Sequence, residues 1–121
     1  MMRVLAALCA ALMPALACAE VPPIPLATGR YEFAHRYAEY PDVPSIKLIV
    51  EIIGDQIELT NADSDEVFPF GVVEKGTLMW HAASGQWIIG HDDGDRVAGE
   101  VGGCSDGPSV VDLVKLIYWT C

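Results

Sequence analysis

Residues 46–60 read Ile-Lys-Leu-Ile-Val-Glu-Ile-Ile-Gly-Asp-Gln-Ile-Glu-Leu-Thr and carry the clearest structural signal in the chain. Apolar side chains alternate with polar ones on both sides of Gly54-Asp55-Gln56, which is the period-two pattern of a strand with one buried face. A glycine between two such runs is typical of the tight turn of an antiparallel hairpin. The stretch therefore predicts a β-hairpin built from strands 46–53 and 57–60.

The same alternation continues on both sides of this hairpin. An earlier strand places four side chains on one face, namely Tyr31, Phe33, His35 and Tyr37. Later in the chain, residues 78–80 and 87–89 predict a second hairpin, and residues 97–101 predict a further strand. Residues 67–73 contain Pro69 and Gly71, so a strand there is expected to be short, bulged or at a sheet edge.

About seven short strands with no repeat and no internal linker predict a mainly β, single-domain protein. We expect a small antiparallel meander that is closed, or nearly closed, into a barrel, with a two-sheet β-sandwich as the alternative. The domain is expected to span residues 29–121. It is preceded by an extended lead-in at residues 20–28, whose three prolines disfavour pairing inside a sheet.

Residues 1–19 have the pattern of a cleavable secretory signal peptide. Arg3 precedes an apolar run that ends in Ala17-Cys18-Ala19, a small-x-small sequence of the kind that signal peptidase accepts. The run is shorter than the roughly 20 residues needed to span a bilayer, so no transmembrane span is expected in the mature chain. The sequence predicts a periplasmic or secreted protein, with a lipid anchor at Cys18 as the alternative.

Two cysteines, Cys104 and Cys121, remain after the leader is removed, and an exported domain of this size favours one disulfide between them. The bridge requires the chain to go out and return between these residues, because the two Cα atoms must lie within about 7 Å. Ser109 and Asp112 resemble a helix-capping pattern before apolar residues at helical spacing. We therefore expect one short C-terminal helix at residues 110–116 and a terminal strand at 117–121, with a strand throughout as the alternative.

The chain is strongly acidic, with seven Lys and Arg residues against seventeen Asp and Glu residues. Because Arg3 lies in the leader, the mature chain would carry six basic residues and a net charge of −11. Nucleic acid and anionic lipid would be repelled, which argues against both as partners. The charge permits a cationic protein or a divalent metal as a partner, and it also serves solubility alone.

No convincing catalytic set is present, and the sequence predicts a protein that is not an enzyme and has no cofactor. The segment Gly103-Cys104-Ser105-Asp106-Gly107 has the Gly-x-Ser-x-Gly spacing of a nucleophile elbow. A hydrolase could be drawn with Ser105, an aspartate, and His81 or His91. That motif requires a parallel α/β sheet, however, which about 100 residues of β-rich chain do not supply. A glycine-rich turn that hydrogen-bonds its own backbone is the favoured interpretation.

Metal ligands are expected to be absent, although two polar loops are weak candidates. One loop alternates oxygen-bearing side chains as a calcium loop does but lacks the glycine and glutamate that complete the EF-hand pattern. The other is a second acidic turn, and the weak candidates in the two loops are Asn61, Asp63, Asp65, Asp92, Asp93 and Asp95. The three histidines, His35, His81 and His91, lack the close pairing of a zinc site.

Three tryptophans, Trp80, Trp87 and Trp119, lie on predicted strands as core or barrel-rim residues. If they line an open barrel mouth, they would form a pocket for a small apolar ligand. The sequence thus favours a small, acidic, exported binding protein, for example one with an acidic rim that meets a cationic protein. A small-ligand carrier that uses the barrel interior is the alternative, and a Ser105-based hydrolase is a third, less favoured hypothesis.

Overall fold

The computed structural model describes residues 21–121, so the proposed signal peptide and Cys18 lie outside the described residues. Seven β-strands form a single closed sheet, which confirms the predicted antiparallel barrel and excludes the sandwich. The strands are β1 (Gly29–Tyr37), β2 (Lys47–Ile53), β3 (Gln56–Asn61), β4 (Gly71–His81), β5 (Gln86–Gly90), β6 (Ser109–Asp112) and β7 (Ile117–Thr120).

The predicted hairpin at residues 46–60 is confirmed as β2 and β3. Val50 pairs with Leu59 and Ile52 pairs with Ile57, so the apolar positions of both strands face the same side and are buried. Gly54 has a φ of 61°, a left-handed conformation that glycine adopts without steric cost. The second predicted hairpin is confirmed as β4 and β5, in which Leu78 pairs with Ile89.

The barrel closes by a parallel pairing of β1 with β7, whereas every other neighbouring pair is antiparallel. A meander reverses direction at each turn, so the first and last of seven strands run the same way. His35 lies opposite Tyr118 at this seam, and Tyr37 lies opposite Thr120. The odd strand number therefore dictates a parallel closure.

Of two sequence-based assignments in the middle of the chain, one holds in part and one is wrong. Residues 67–73 do not form a strand of their own, because Gly71 begins the eleven-residue β4 that continues to His81. The predicted bulge is present at Val73, because Leu59 pairs with Glu74 whereas the next residue, Thr60, pairs with Val72. Residues 97–101 are not a strand: Asp93–Val97 form a short 3-10 helix, and the chain then runs irregularly to β6.

The predicted C-terminal helix at 110–116 is also wrong, because this segment contains β6 and the turn to β7. The Asp112 carboxylate does accept backbone N–H groups, but from Val114 and Lys115, and it thereby closes a turn. Leu116 completes the reversal with a φ of 59°. The out-and-back path required by the disulfide is nevertheless confirmed, and Cys104 and Cys121 are bridged with their Cα atoms 4.6 Å apart.

Side chains fill the interior of the barrel. The inward positions carry buried aliphatic and aromatic residues, among them Phe33, Leu48, Val50, Ile52, Leu59, Leu78, Ile89 and Val111. Ile24 and Leu26 of the lead-in pack against this core where β1 begins, and Val67 and Phe68 pack against it from the loop after β3. A second, smaller core of Met79, Ile88 and Val110 lies apart from this cluster, with Val101 packed against it.

Candidate functional site

The meander collects its three long loops at one end of the barrel, and these loops carry most of the charge. They comprise residues 38–46, 62–70 and 91–108, and we call this end the acidic end. Its acidic residues are Glu39, Asp42, Asp63, Asp65, Glu66, Asp92, Asp93, Asp95, Glu100 and Asp106, against the single basic residue Arg96. The ten carboxylates and one guanidinium give a formal charge of −9.

The opposite end of the barrel is formally neutral. Its loops are residues 54–55, 82–85 and 113–116, and they contain one acidic residue, Asp55, and one basic residue, Lys115. The lead-in at 21–28 belongs to this neutral end and carries no charged side chain. The charge asymmetry of the protein therefore follows the barrel axis, which a count over the whole sequence does not reveal.

The acidic end also exposes apolar side chains. Tyr40 and Phe70 are each 62% exposed, Val43 is 51% exposed and Val97 is 83% exposed. Each belongs to one of the three loops that define this end. Large apolar side chains surrounded by charged residues are typical of surfaces that bind another protein.

Local hydrogen bonds hold the acidic loops in shape. The Asn61 amide is buried and donates to the Ser64 and Phe68 carbonyls at 2.8 Å, while its oxygen accepts the Asp63 N–H. Asp92 and Asp95 form a reciprocal capping box at the start of the 3-10 helix. A loop that is already ordered loses less conformational entropy on binding than a flexible loop does.

Five of the six weak metal candidates of the sequence, all but Asp65, make local contacts of this kind. Asn61, Asp63, Asp92 and Asp95 bond to backbone groups of their own loops or of the start of β2, and Asp93 lies 4.0 Å from Arg96. Within residues 21–121, ligand atoms gather within 4.8 Å of one another at a different place, formed by Glu39, Cys104 and Cys121. Within the described residues, the acidic side chains of the loop at 61–65 and of the loop at 92–95 do not come together as a shared ion site.

Glu74, Tyr118 and His91 form a polar chain near the acidic end. The Tyr118 hydroxyl donates to Glu74 Oε1 at 2.5 Å, and His91 Nε2 lies 3.0 Å from Glu74 Oε2. Burial and the hydrogen bond to Glu74 raise the pKa of Tyr118 well above its usual value, so the hydroxyl stays protonated. Sequence analysis missed Glu74 and Tyr118, although Glu74 shares the inward parity of Leu78 and Trp80.

His35 is fully buried at the seam between β1 and β7. Its Nδ1 lies 2.7 Å from Ser45 Oγ, and its Nε2 lies 2.7 Å from Thr120 Oγ1. Desolvation, with a smaller contribution from Arg36, lowers the pKa of this histidine below its usual value near 6.5. His35 is thus held neutral, with one ring nitrogen donating to one hydroxyl group and the other accepting from the second.

This burial predicts a pH-dependent stability. Below about pH 6.5 the unfolded chain protonates His35 and the folded chain resists protonation, so the free energy of unfolding falls as the pH is lowered. The expected slope from this group approaches about 1.4 kcal/mol per pH unit. Urea unfolding of wild type and His35→Gln between pH 7.5 and 5 checks it. Equal slopes for the two proteins would contradict the prediction.

The remaining residues singled out by the sequence are placed as follows. Ser105 Oγ donates to the Gly102 carbonyl at 2.7 Å and accepts the Gly107 N–H, so it serves its own turn. His81 is buried and bonds to Ser84 and to the Ala98 carbonyl. Trp80 and Trp87 pack edge to face, with their ring centroids 5.3 Å apart. Trp119 joins them in a groove of about 440 Å³ that Pro22 of the lead-in also lines.

Comparison with protein-family models, with curated proteins and with solved structures finds no match to this chain. Within residues 21–121, no helix is both long enough and apolar enough to cross a membrane.

Proposed function

We propose that this is an exported, non-enzymatic binding protein that holds a cationic protein partner on its acidic end. The observation that carries the proposal is the confinement of a formal charge of −9 to three adjacent loops, while the opposite end is neutral. Such a distribution attracts a cationic protein over a distance comparable to the Debye length and orients it towards one end of the barrel.

Apolar contacts support a protein as the occupant rather than a small cation. Tyr40 and Phe70 stand exposed within the acidic end. Buried aromatic side chains contribute a large share of the binding energy at protein interfaces, whereas charged groups at the rim mainly raise the association rate. The combination suits a partner that presents apolar residues among Lys and Arg side chains.

The alternative functions receive less support. Side chains such as Phe33, Leu48 and Ile89 occupy the barrel interior that a small-ligand carrier would need. A hydrolase at Ser105 would need a base beside its hydroxyl, but that hydroxyl bonds to two backbone groups of its own turn. Export is supported by the pattern of residues 1–19 and by the disulfide, which persists in oxidising compartments.

The test measures association of the purified protein with a panel of basic proteins at about 0.02 M and about 0.5 M salt, a range over which the Debye length shrinks several-fold. We expect at least one specific complex whose association rate falls steeply with salt. Binding that is equal at both salt concentrations for every basic protein would exclude the proposed steering.

A matched pair of charge variants locates the binding surface. Asp42→Asn/Asp65→Asn removes two charges from the acidic end, and Glu51→Gln/Asp55→Asn removes two from the barrel wall and the neutral end. The first pair is expected to slow association several-fold more than the second. Phe70→Ala is expected to weaken affinity at least about fivefold, as loss of an interface anchor does. Equal effects of the two pairs would contradict the assignment.

A further inference from the structure

The acidic end contains a carboxylate that touches both sulfurs of the disulfide. Glu39 Oε1 lies 3.6 Å from Cys104 Sγ and 3.8 Å from Cys121 Sγ. All three residues are exposed to solvent, and their ligand atoms lie within 4.8 Å of one another. The three side chains come from different parts of the chain, so the fold itself brings them together.

We propose that, once the disulfide is reduced, Glu39, Cys104 and Cys121 bind a zinc ion. Two thiolates and one carboxylate are ligands that Zn²⁺ prefers, and three protein ligands leave the fourth tetrahedral position for water. In the oxidised protein the sulfurs are bonded to each other and carry no thiolate charge, so they do not ligate metal. The disulfide and the zinc ion are therefore alternative ways to hold the same three residues together.

The distances already match a tetrahedral site on two of its edges. Bonds of about 2.0 Å to oxygen and about 2.3 Å to sulfur place the ligand oxygen about 3.5 Å from each sulfur, and the sulfurs about 3.8 Å apart. The observed oxygen–sulfur distances, 3.6 and 3.8 Å, are close to the first value. The remaining edge joins the two sulfurs. Once the disulfide is reduced they are no longer bonded to each other and separate to roughly 3.5–4 Å, which matches that edge.

The surroundings favour a cation. The site lies among loops with a formal charge of −9, which raises the local concentration of a divalent ion. The backbone keeps Glu39 and Cys121 adjacent without the disulfide, because β7 pairs with β1 and the Ala38 N–H donates to the Thr120 carbonyl at 2.7 Å. Cys104 lies in a turn that the Gly102 N–H closes by donating to the Pro108 carbonyl at 2.8 Å. Glu39 follows Ala38, and Cys121 follows Thr120.

The chemical steps balance. A dithiol reductant transfers two electrons and two protons to Cys104 and Cys121 and becomes a disulfide itself. Zinc then replaces the two thiol protons, which pass to solvent, and the oxidation state of sulfur does not change. Zinc affinity is consequently expected to rise with pH as the thiols become easier to deprotonate.

The first experiment compares metal binding by oxidised and reduced wild-type protein, using Co²⁺ as a coloured probe and Zn²⁺ in competition with a chromogenic chelator. Reduced protein is expected to bind one ion per chain, with the sulfur-to-cobalt charge-transfer absorption of thiolate ligands and release of two protons per zinc. Oxidised protein is expected to show neither signal. Near-ultraviolet circular dichroism verifies that the reduced chain keeps its packed tryptophans.

Variants separate the three-ligand site from binding by thiols alone. Glu39→Gln is expected to weaken zinc binding at least about tenfold, and Glu51→Gln, the same change on the barrel wall outside the acidic end, is expected to leave it nearly unchanged. The double variant Cys104→Ser/Cys121→Ser is expected to abolish the cobalt signal. Equal zinc affinity of Glu39→Gln and wild type, metal binding by the oxidised protein, or binding only after the reduced chain has unfolded would each overturn the proposal.

Discussion

The double variant Cys104→Ser/Cys121→Ser is expected to unfold with a free energy about 3 kcal/mol below that of the oxidised protein, the size predicted for a loop of this length. The bridge joins residues 17 apart, and the loop that it closes contains all of β6 and β7. These are the shortest strands of the barrel, with four residues each. Without the covalent link, only short hydrogen-bonded ladders and side-chain packing hold the closing strand in place.

Urea unfolding followed by tryptophan fluorescence measures this loss, and the slope with urea reports whether the transition stays cooperative. Ala83→Ser, at an exposed turn of the neutral end, is the comparison and is expected to change stability by less than about 0.5 kcal/mol. A loss below about 1 kcal/mol for the double variant would show that the closing strands are held without the bridge.

Phe33→Ala is expected to lower the free energy of unfolding by about 3–5 kcal/mol, because it removes a large side chain from a core that cannot collapse around the gap. Phe33 is completely buried on β1, in the same core cluster as Leu48 and Val50 of the neighbouring strand β2. A domain of this size has a total stability of about 5–15 kcal/mol, so the variant approaches the limit of folding. The milder variant Ile52→Val is expected to lower the free energy of unfolding by about 0.5–1.5 kcal/mol, so it remains folded and its stability can be measured.

The control for the core variants is Ile53→Ala, which alters the next residue along β2 but on the exposed face. Ile53 is 68% exposed, so its truncation is expected to change stability by less than about 0.5 kcal/mol. A small aromatic probe is also expected to bind Phe33→Ala more tightly than wild type, because the truncation leaves an apolar cavity in the core. Probe binding inside the wild-type barrel would instead revive the carrier hypothesis.

The hairpins could be predicted from the sequence because their information is local. In residues 46–60, the alternation of buried positions and the glycine turn lie within one short window, and the pairing of Val50 with Leu59 follows from them. The disulfide could also be predicted, since only two cysteines follow the predicted signal peptide. The out-and-back path between Cys104 and Cys121 then followed from the reach of a disulfide.

The C-terminal helix was predicted wrongly because the local pattern there fits two structures. Val110, Leu113 and Ile117 have helical spacing, yet β-branched residues also favour strands. The outcome is decided by a distant partner, since β5 pairs Ile88 with Val110 and Trp87 with Val111. A single sequence contains no direct record of that pairing.

The candidate site could be predicted only in part, because it too depends on contacts between distant parts of the chain. Total charge permitted a cationic partner, but the separation into an acidic end and a neutral end depends on which loops the meander places together. Likewise, Glu39 lies 82 residues from Cys121 along the chain, and Glu74 lies 44 residues from Tyr118. Contacts of this range follow from barrel closure, which local sequence patterns do not specify.

The parallel seam fixes the ends of the barrel at which the described chain begins and stops, and this decides how the protein can be attached to a surface. An odd number of strands leaves Val21 at the neutral end and Cys121 beside the acidic loops, so the two ends of the described chain point to opposite poles. A tether placed ahead of Val21, whether a lipid or a sensor-chip linker, would hold the neutral pole to the surface and present the acidic pole outward. A tag fused after Cys121 would instead stand in front of the surface proposed to receive the partner.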